Sequence, residues 1–464
     1  MEPKTLCLLN DSFPPIIDGV ANVVMNYASV LSGSEYSPVV ITPEHPEADD
    51  SALPYPVIRY AAMDMRGKTG YMAGIPFSAE VAKSLEGKPV ELIHSHCPIV
   101  STMIGRELRA IKDAPLVLTY HTKFDVDIAN LIKSPLIQET AKRALVENIN
   151  ACDEVWAVSR GAIDNLRSLG YQGECLVMDN GVDLSRGKAT PEKIQEITGK
   201  YDLPQGIPVY LFVGRMMWYK GLRITLDALA KLKQSGEKFR MVFVGGGGDF
   251  QQVQAYCAQL GLDDVCFFAG PERDRENLRA WYSRADLFLF PSTFDTNGLV
   301  VREAAACSLG AVLIEGSCAA EGVTDGRNGM LIAENAGSMY ACLKNLGGDL
   351  AKMETIGENA CKELYLSWQD AVQIAKERYQ VVIDRYRSGK SSAVRKTGEE
   401  LFRSSGEMME TLGKIQLALD GLHTQQRERI ELFHDRVSQR KENIQEKLTQ
   451  QIERISDEIR DKFE

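Results

Sequence analysis

No stretch of this chain approaches the ~20 consecutive apolar residues that a membrane-spanning helix needs, which argues against a chain that crosses a bilayer by itself. It also lacks any CxxC pair and any His spacing of ligand type. Its ten cysteines therefore read as reduced and mostly buried thiols rather than as a metal site or a disulfide framework. An excess of positive charge is missing too. The formal net charge is −11, and a surface of that sign is repelled by nucleic acid and by anionic lipid, so no nucleic-acid partner is expected. The apolar run near the start is only strand-length and leads into Asp11 and a proline turn, unlike a signal peptide, which gives the expectation of a cytoplasmic protein, either free or peripheral on the inner face of the membrane.

What is present is the composition of a soluble globular protein, 44% hydrophobic and 25% charged. A chain of 464 residues exceeds one ordinary core, so at least two domains are expected. Short apolar runs (LCLLN, SPVVIT, ELIHSH, PLVLTYH, EVWAVS) alternate with helical patterns over residues 5–200. That order predicts a parallel sheet covered by helices. The pattern restarts at VYLFVG and runs through MVFVG, VCFFAG, LFLFPS and AVLIEG, a second doubly wound unit. Turn signals at Asn180-Gly181 and Pro191 place a hinge between the units, and two units facing across a hinge make a cleft.

After Gly389 proline disappears, and Leu401, Met408, Leu412, Ile415, Leu419 and Leu422 fall at heptad spacings. A second apolar series from Ile430 to Phe463 keeps one helical face with a longer period. Long helices are the reading. Their stripe could pair with a second copy or another protein, lie on lipid, or pack against the chain's own body.

Three segments carry chemistry. PSTFDTNGLVVREAAACSLGAVL leaves a strand, passes through a glycine loop and enters a helix, so Asp295 stands in the loop and Glu303 on the helix, placed to grip two ends of one ligand beside helix amides that suit a phosphate. VYLFVGRMMWYKG puts Arg215 and Lys220 beyond a strand end, where two cations would hold a diphosphate and stabilise it as it leaves. Nearby, Gly245 opens the run VGGGG, which would let backbone approach a ribose or base, though a glycine run by itself equally serves a tight connection. In the first unit, Gly19 precedes a helix whose amides would face the same diphosphate. His121, at the end of LTYH, can donate to a sugar hydroxyl or to charge developing at the reaction centre. His94 and His96 are expected to shape an acceptor pocket. Asp125-Val126-Asp127 has the look of a metal-binding DxD, but no further acidic or His cluster supports it, and Arg215 and Lys220 already offer positive charge. No metal and no cofactor is expected.

Taken together and in order, NDSFPPIIDG, TYHTKFD, AVSRGAIDNL, NGVD, GRMMWYKG, VGGGG, FAG and the acid pair make residues 5–388 resemble the family 4 glycosyltransferases, retaining enzymes of GT-B fold. The resemblance implies an α/β architecture of two Rossmann-like doubly wound domains facing across a cleft, residues 1–183 on the acceptor side and 184–366 binding the nucleotide-sugar. It also implies a crossover helix at 367–390, anchored by Trp368, that returns to the first domain, and it leaves 391–464 as a helical, coiled-coil-like extension outside the family pattern. By the same resemblance Arg215 and Lys220 hold the donor diphosphate, and Glu303 binds the ribose hydroxyls. Asp295, where the family typically has Glu, contacts the donor sugar. Asn297, Gly298 and Leu299 touch phosphate and sugar, Gly270 and Pro271 begin the segment that meets the base, and His121 is the sugar-proximal His. The wording of the motifs is similar to that of bacterial diacylglycerol glucosyltransferases. This implies a UDP-hexose donor, UDP-glucose or UDP-galactose, and a hydroxyl acceptor such as diacylglycerol or another glycolipid. Acids outnumber Lys and Arg in residues 1–200, against the basic face common in membrane-bound members. The competing classes are a GT-B enzyme that does not transfer, an epimerase or phosphorylase, and a silent scaffold acting through its tail. Intact Arg215, Lys220 and Glu303 argue against the scaffold.

Overall fold

The computed structural model describes residues 4–125, 128, 133–389, 400 and 402–411. Two parallel sheets dominate it. The first contains β1 (Lys4–Leu9), β2 (Tyr36–Pro43), β3 (Val57–Tyr60), β6 (Val90–Ser95), β7 (Leu116–Tyr120), β8 (Glu154–Ala157) and β9 (Leu176–Val177), in the spatial order β3-β2-β1-β6-β7-β8-β9. A small antiparallel hairpin, β4 (Ala62–Asp64) with β5 (Met72–Gly74), stands apart from it. The second contains β10 (Val209–Val213), β11 (Arg240–Val244), β12 (Cys266–Gly270), β13 (Leu287–Phe290), β14 (Ala311–Ile314) and β15 (Met330–Ile332), in the order β12-β11-β10-β13-β14-β15. In both, the order reverses beside the first strand of the unit, and the crevice at such a reversal is where ligands bind in open α/β sheets.

The strands read as unbroken apolar runs because both faces are covered. Along β1, Cys7 and Leu9 enter one core with Ile93, Leu116 and Leu118, while Leu6 and Leu8 enter another with Leu92, Val117 and Trp156. Each such leucine contributes about 2 kcal/mol by leaving water. The second core is closed by two helices. Gly19–Ser32 starts where the Asp18 carboxylate accepts from the amides of Val20 and Ala21, and it buries Val24, Tyr27, Ala28 and Leu31. Trp368–Arg387, capped by Ser367, returns from the second sheet and buries Trp368, Val372, Ala375 and Tyr379 on the first. Its Tyr379 ring stacks on Trp156 at 5.4 Å, and its Arg378 pairs with Glu154 at 2.5 Å. The last strand and helix of the second unit are thus tied to the first through one continuous chain.

All ten cysteines are free thiols. No helix among the described residues is long and apolar enough to cross a membrane. Of the expected C-terminal extension, only 400 and 402–411 fall within the described residues, and 402–411 is a helix lying against the first unit. Phe402 is buried there, with the Arg106 guanidinium 3.8 Å from its ring centroid and Phe77 at 6.0 Å. Ser405 Oγ donates to Glu107 at 3.2 Å. This stretch packs on the chain's own body. The readings of a coiled coil, a second copy or a lipid-bound face concern mainly residues 412–464, outside the described residues.

Candidate active site

The second unit brings its charged residues to the ends of β10 and β13. After β10, Lys220 sits on a short 3-10 turn and is buried. Its Nζ lies 2.5 Å from Asp295 Oδ1, and Ser292 Oγ donates to the other carboxylate oxygen at 2.6 Å. Arg215 is exposed at the same strand end and has no ion-pair partner among the described residues. The spacing brought Arg215, Lys220 and Asp295 to one edge as expected, but the direct Lys220–Asp295 pair was not foreseen. Gly298, at φ 64°, begins the helix Leu299–Ala306 with no side-chain cap, and a Cβ there would lie 2.8 Å from the Ala319 Cα. The first amides of that helix are therefore left for a ligand.

One turn down, Glu303 accepts from Arg275 Nη2 at 2.7 Å and from the Tyr282 phenol at 3.0 Å. Burial, then the Glu303 charge, pushes that phenol well above its ordinary range, so Tyr282 stays a donor. Gly270, at φ 79°, has open space where a Cβ would be, and Pro271 follows it at the mouth. Gly245 takes part in a tight connection. A Cβ on it would stand 1.9 Å from the Gly214 carbonyl oxygen, so the chain's own crossing is enough to demand glycine there.

In the first unit, Gly19 opens the helix capped by Asp18, with nothing near its missing Cβ. His121, just past β7, is 7% exposed, and burial pulls its imidazole down to about 3. It stays neutral across the physiological range. His94 and His96 do not shape a pocket. Both are buried: the alternation of β6 turns His94 toward the crossover helix, where the Tyr379 hydroxyl and Thr119 Oγ1 each meet a ring nitrogen at 2.7 Å, and His96 is enclosed by Tyr27, His94 and His121. Asp125 accepts from Asn165 Nδ2 at 2.9 Å, and its DxD partner Asp127 lies outside the described residues.

Several partners at the cleft, Ser159, the Thr296 carbonyl and Glu321 among them, escaped sequence reasoning. Ser159 Oγ donates to the Thr296 carbonyl at 2.6 Å, and Asn297 Nδ2 donates to the Val158 carbonyl, so the loop from Asp295 to Leu299 is fastened to the first unit. Glu321 of the second unit accepts from the amides of Arg160 and Gly161 at 2.7 and 2.8 Å, capping a helix of the first. Ser159, three residues before Ala162 at a helix start, carried an N-cap signal. Glu321 carried none. Between the units lies a cavity of about 710 Å³ bounded by Lys123, Asp125, Tyr219, Arg223, Phe294 and Glu334, beside the Lys220–Asp295 pair.

Two family models match in tandem: "Glycosyltransferase Family 4" over residues 17–186 and "Glycosyl transferases group 1" over residues 193–362. The chain belongs to the family 4 glycosyltransferases. An alpha-monoglucosyldiacylglycerol synthase of Streptococcus pneumoniae is 23% identical over 307 residues, covering 64% of this glycosyltransferase and 68% of that protein. A D-inositol 3-phosphate glycosyltransferase of Catenulispora acidiphila is 30% identical over 284 residues, 58% of this chain and 65% of that one, so the glycosyltransferase spans about two thirds of both relatives. Among solved structures, Anabaena Alr3699/HepE in complex with UDP superposes with TM-score 0.64 at 21% identity, over 82% of this chain and 100% of that one. Sucrose-phosphate synthase of Thermosynechococcus elongatus gives TM-score 0.65 at 20% identity, over 82% and 99%. These structures establish the GT-B fold.

Proposed function

We propose that this glycosyltransferase moves a hexose from a UDP-sugar, UDP-glucose or UDP-galactose, to a hydroxyl of a lipid-linked acceptor such as diacylglycerol, with retention at the anomeric carbon and without a metal. The observation that carries the reading is Arg215, without an ion-pair partner among the described residues, at the same strand end as buried Lys220, which is bonded to Asp295 three residues before the uncapped helix start at Gly298. Two cations and a set of aimed amides form a cradle for a diphosphate and stabilise its growing charge as it departs. Glu303, already held by Arg275 and Tyr282, accepts from the ribose hydroxyls. The bond from C1 to the phosphate oxygen breaks, the acceptor oxygen bonds C1 from the same face, and the acceptor proton passes to the leaving phosphate. UDP departs, and the wall between the sugar and water is the loop pinned to Val158 and Ser159. The relatives named as an alpha-monoglucosyldiacylglycerol synthase and a D-inositol 3-phosphate glycosyltransferase, and the likeness to a UDP complex, support a nucleotide-sugar donor and a hydroxyl acceptor, the first of them a lipid one.

The test is a donor screen with purified protein, following nucleotide release from UDP- and GDP-sugars, first alone and then with diacylglycerol or inositol phosphate. Release of UDP from one sugar, lost in Lys220→Ala, is the expected result. No release from any donor together with no binding of UDP would overturn the reading in favour of a scaffold.

A further inference from the structure

Two imidazoles meet at the edge of the first sheet that faces the cleft. His96, one residue past β6, places Nδ1 3.0 Å from Nε2 of His121, one residue past β7, with the rings 24° from parallel. These two nitrogens share a single proton, and its owner decides what His121 can offer a substrate. If His121 donates from Nε2, His96 must carry its own proton on Nε2, an atom that is sealed with no partner. If His96 donates from Nδ1, the sealed Nε2 is only a lone pair, and a buried orphan acceptor is better tolerated than a buried orphan N–H. His121 then carries its proton on Nδ1, which has no hydrogen-bond partner among the described residues and is not one of the fully sealed polar atoms.

We propose that His96 is a positioning residue that fixes His121 in its Nδ1–H form, so that a neutral imidazole presents a hydrogen-bond donor to a hydroxyl of the donor hexose. The proposal rests on the hexose transfer proposed above, and on the resemblance that makes His121 the sugar-proximal residue. The surroundings are built to hold the pair in this state. His96 is 2% exposed, its amide donates to the Leu9 carbonyl at 2.8 Å, and its ring lies 4.0 Å from that of His94, which Tyr379 and Thr119 pin on both nitrogens. The edge of Tyr27 closes the remaining side at 5.4 Å. Burial depresses both His96 and His121, which keeps His121 from carrying two protons and donating from either nitrogen. A chain of three histidines from the crossover helix to the cleft thus sets one proton.

The experiment is selective ¹⁵N-histidine labelling of the full chain, with imidazole ¹⁵N shifts read with and without UDP. The expected result is a protonated Nδ1 and a bare Nε2 on His121; a proton on Nε2 overturns the proposal. Kinetics supply a second reading. His96→Leu should lower kcat about tenfold, the worth of one misplaced hydrogen bond. His96→Asn, whose amide stands where the Nδ1–H stood, should recover most of that loss, while His96→Gln should not. Equal losses in Leu and Asn variants that bind UDP as the parent does would show a merely structural role and sink the idea. If the Leu variant fails to fold, the shifts of the parent protein still decide. A parent that binds no UDP and turns over no donor fails the functional reading instead, and leaves the tautomer measurable.

Discussion

The two walls of the cleft solve their electrostatics in opposite ways. On the second unit the site is a set of charges that satisfy one another, Lys220 with Asp295 and Arg275 with Glu303, with Arg215 standing free. On the first unit the group at the sheet edge is a neutral buried imidazole, beside a helix start capped from within by Asp18, while Lys123 and Asp125 stand farther along the wall. The difference teaches what each wall is for. Paired charges cost little to keep while the cleft is wet, and a diphosphate can exchange for one partner of each pair. A neutral wall keeps its geometry whatever the nucleotide does, which suits a group that must meet uncharged hydroxyls.

The sharpest way to break the contrast is to remove the buried cation. Lys220→Ala should lower kcat by about two to three orders of magnitude, since the leaving diphosphate loses its desolvated donor, and Arg215→Ala should do less because that guanidinium is exposed. Steady-state nucleotide release checks both. Turnover of the Lys220 variant within threefold of the parent would mean that the charged wall is not the leaving-group wall. Next in size is Glu303→Ala. It removes the acceptor for the ribose hydroxyls and frees Arg275 and Tyr282, so the Kd for UDP should rise about tenfold to a hundredfold by calorimetry. Unchanged UDP binding would end the ribose assignment.

How much of this was legible depended on distance along the chain. The sheets were, because strands buried on both faces must be apolar throughout and their ends announce themselves with glycine. The placement of Arg215, Lys220 and Asp295 was, because each follows a strand end within one loop, and that of Glu303 because it falls on the helix entered from such a loop. What the sequence hid were partnerships across long separations: Arg275 reaching Glu303, Glu321 capping a helix that starts at Arg160, His96 meeting His121. No local pattern encodes them. Gly245 shows an ambiguity that sequence leaves open: a glycine run can serve a ligand or a tight crossing, and here the neighbouring Gly214 carbonyl alone already requires it.

The neutral wall can be tested by acid. His121 has a folded value of about 3 against an ordinary 6.5, and His94 and His96 are lowered in the same direction by burial. Below pH 6.5 the unfolded chain takes up protons that the native one refuses. Stability from these groups is therefore complete above 6.5 and is lost progressively as pH falls toward 3. Thermal unfolding followed from pH 7 to 4.5 should show the melting temperature falling by ~5 °C or more, and His94→Gln should flatten that slope. A flat profile in the parent would mean that the imidazoles are not buried as described.

The smallest effect lies where helix 402–411 touches the first unit, and it carries the opposite sign. Glu107 is 4% exposed, and burial pushes its carboxyl up to about 7 although Ser405 donates to it. The docked state binds a proton that the undocked state gives up near its ordinary 4.5. Docking is therefore firmest at pH 4.5 and below, weakens as pH rises to about 7, and is flat beyond, the mirror image of the histidines over much of the same window. The consequence stays local. A helix of ten residues held by Phe402, the Ser405–Glu107 bond and Gly406 packed on Ile111 can lift away before the unit unfolds, so the weakening caps at its own docking free energy and should move global melting by only ~1 °C. Hydrogen exchange isolates it: amides of 402–411 should exchange several times faster, relative to their intrinsic rates, at pH 8 than at pH 5. In Glu107→Gln, which keeps an oxygen for Ser405 and has nothing to ionise, the ratio should be equal at both. Protection that is independent of pH in the parent would show that Glu107 keeps its charge, and that this helix is held by its packing contacts alone.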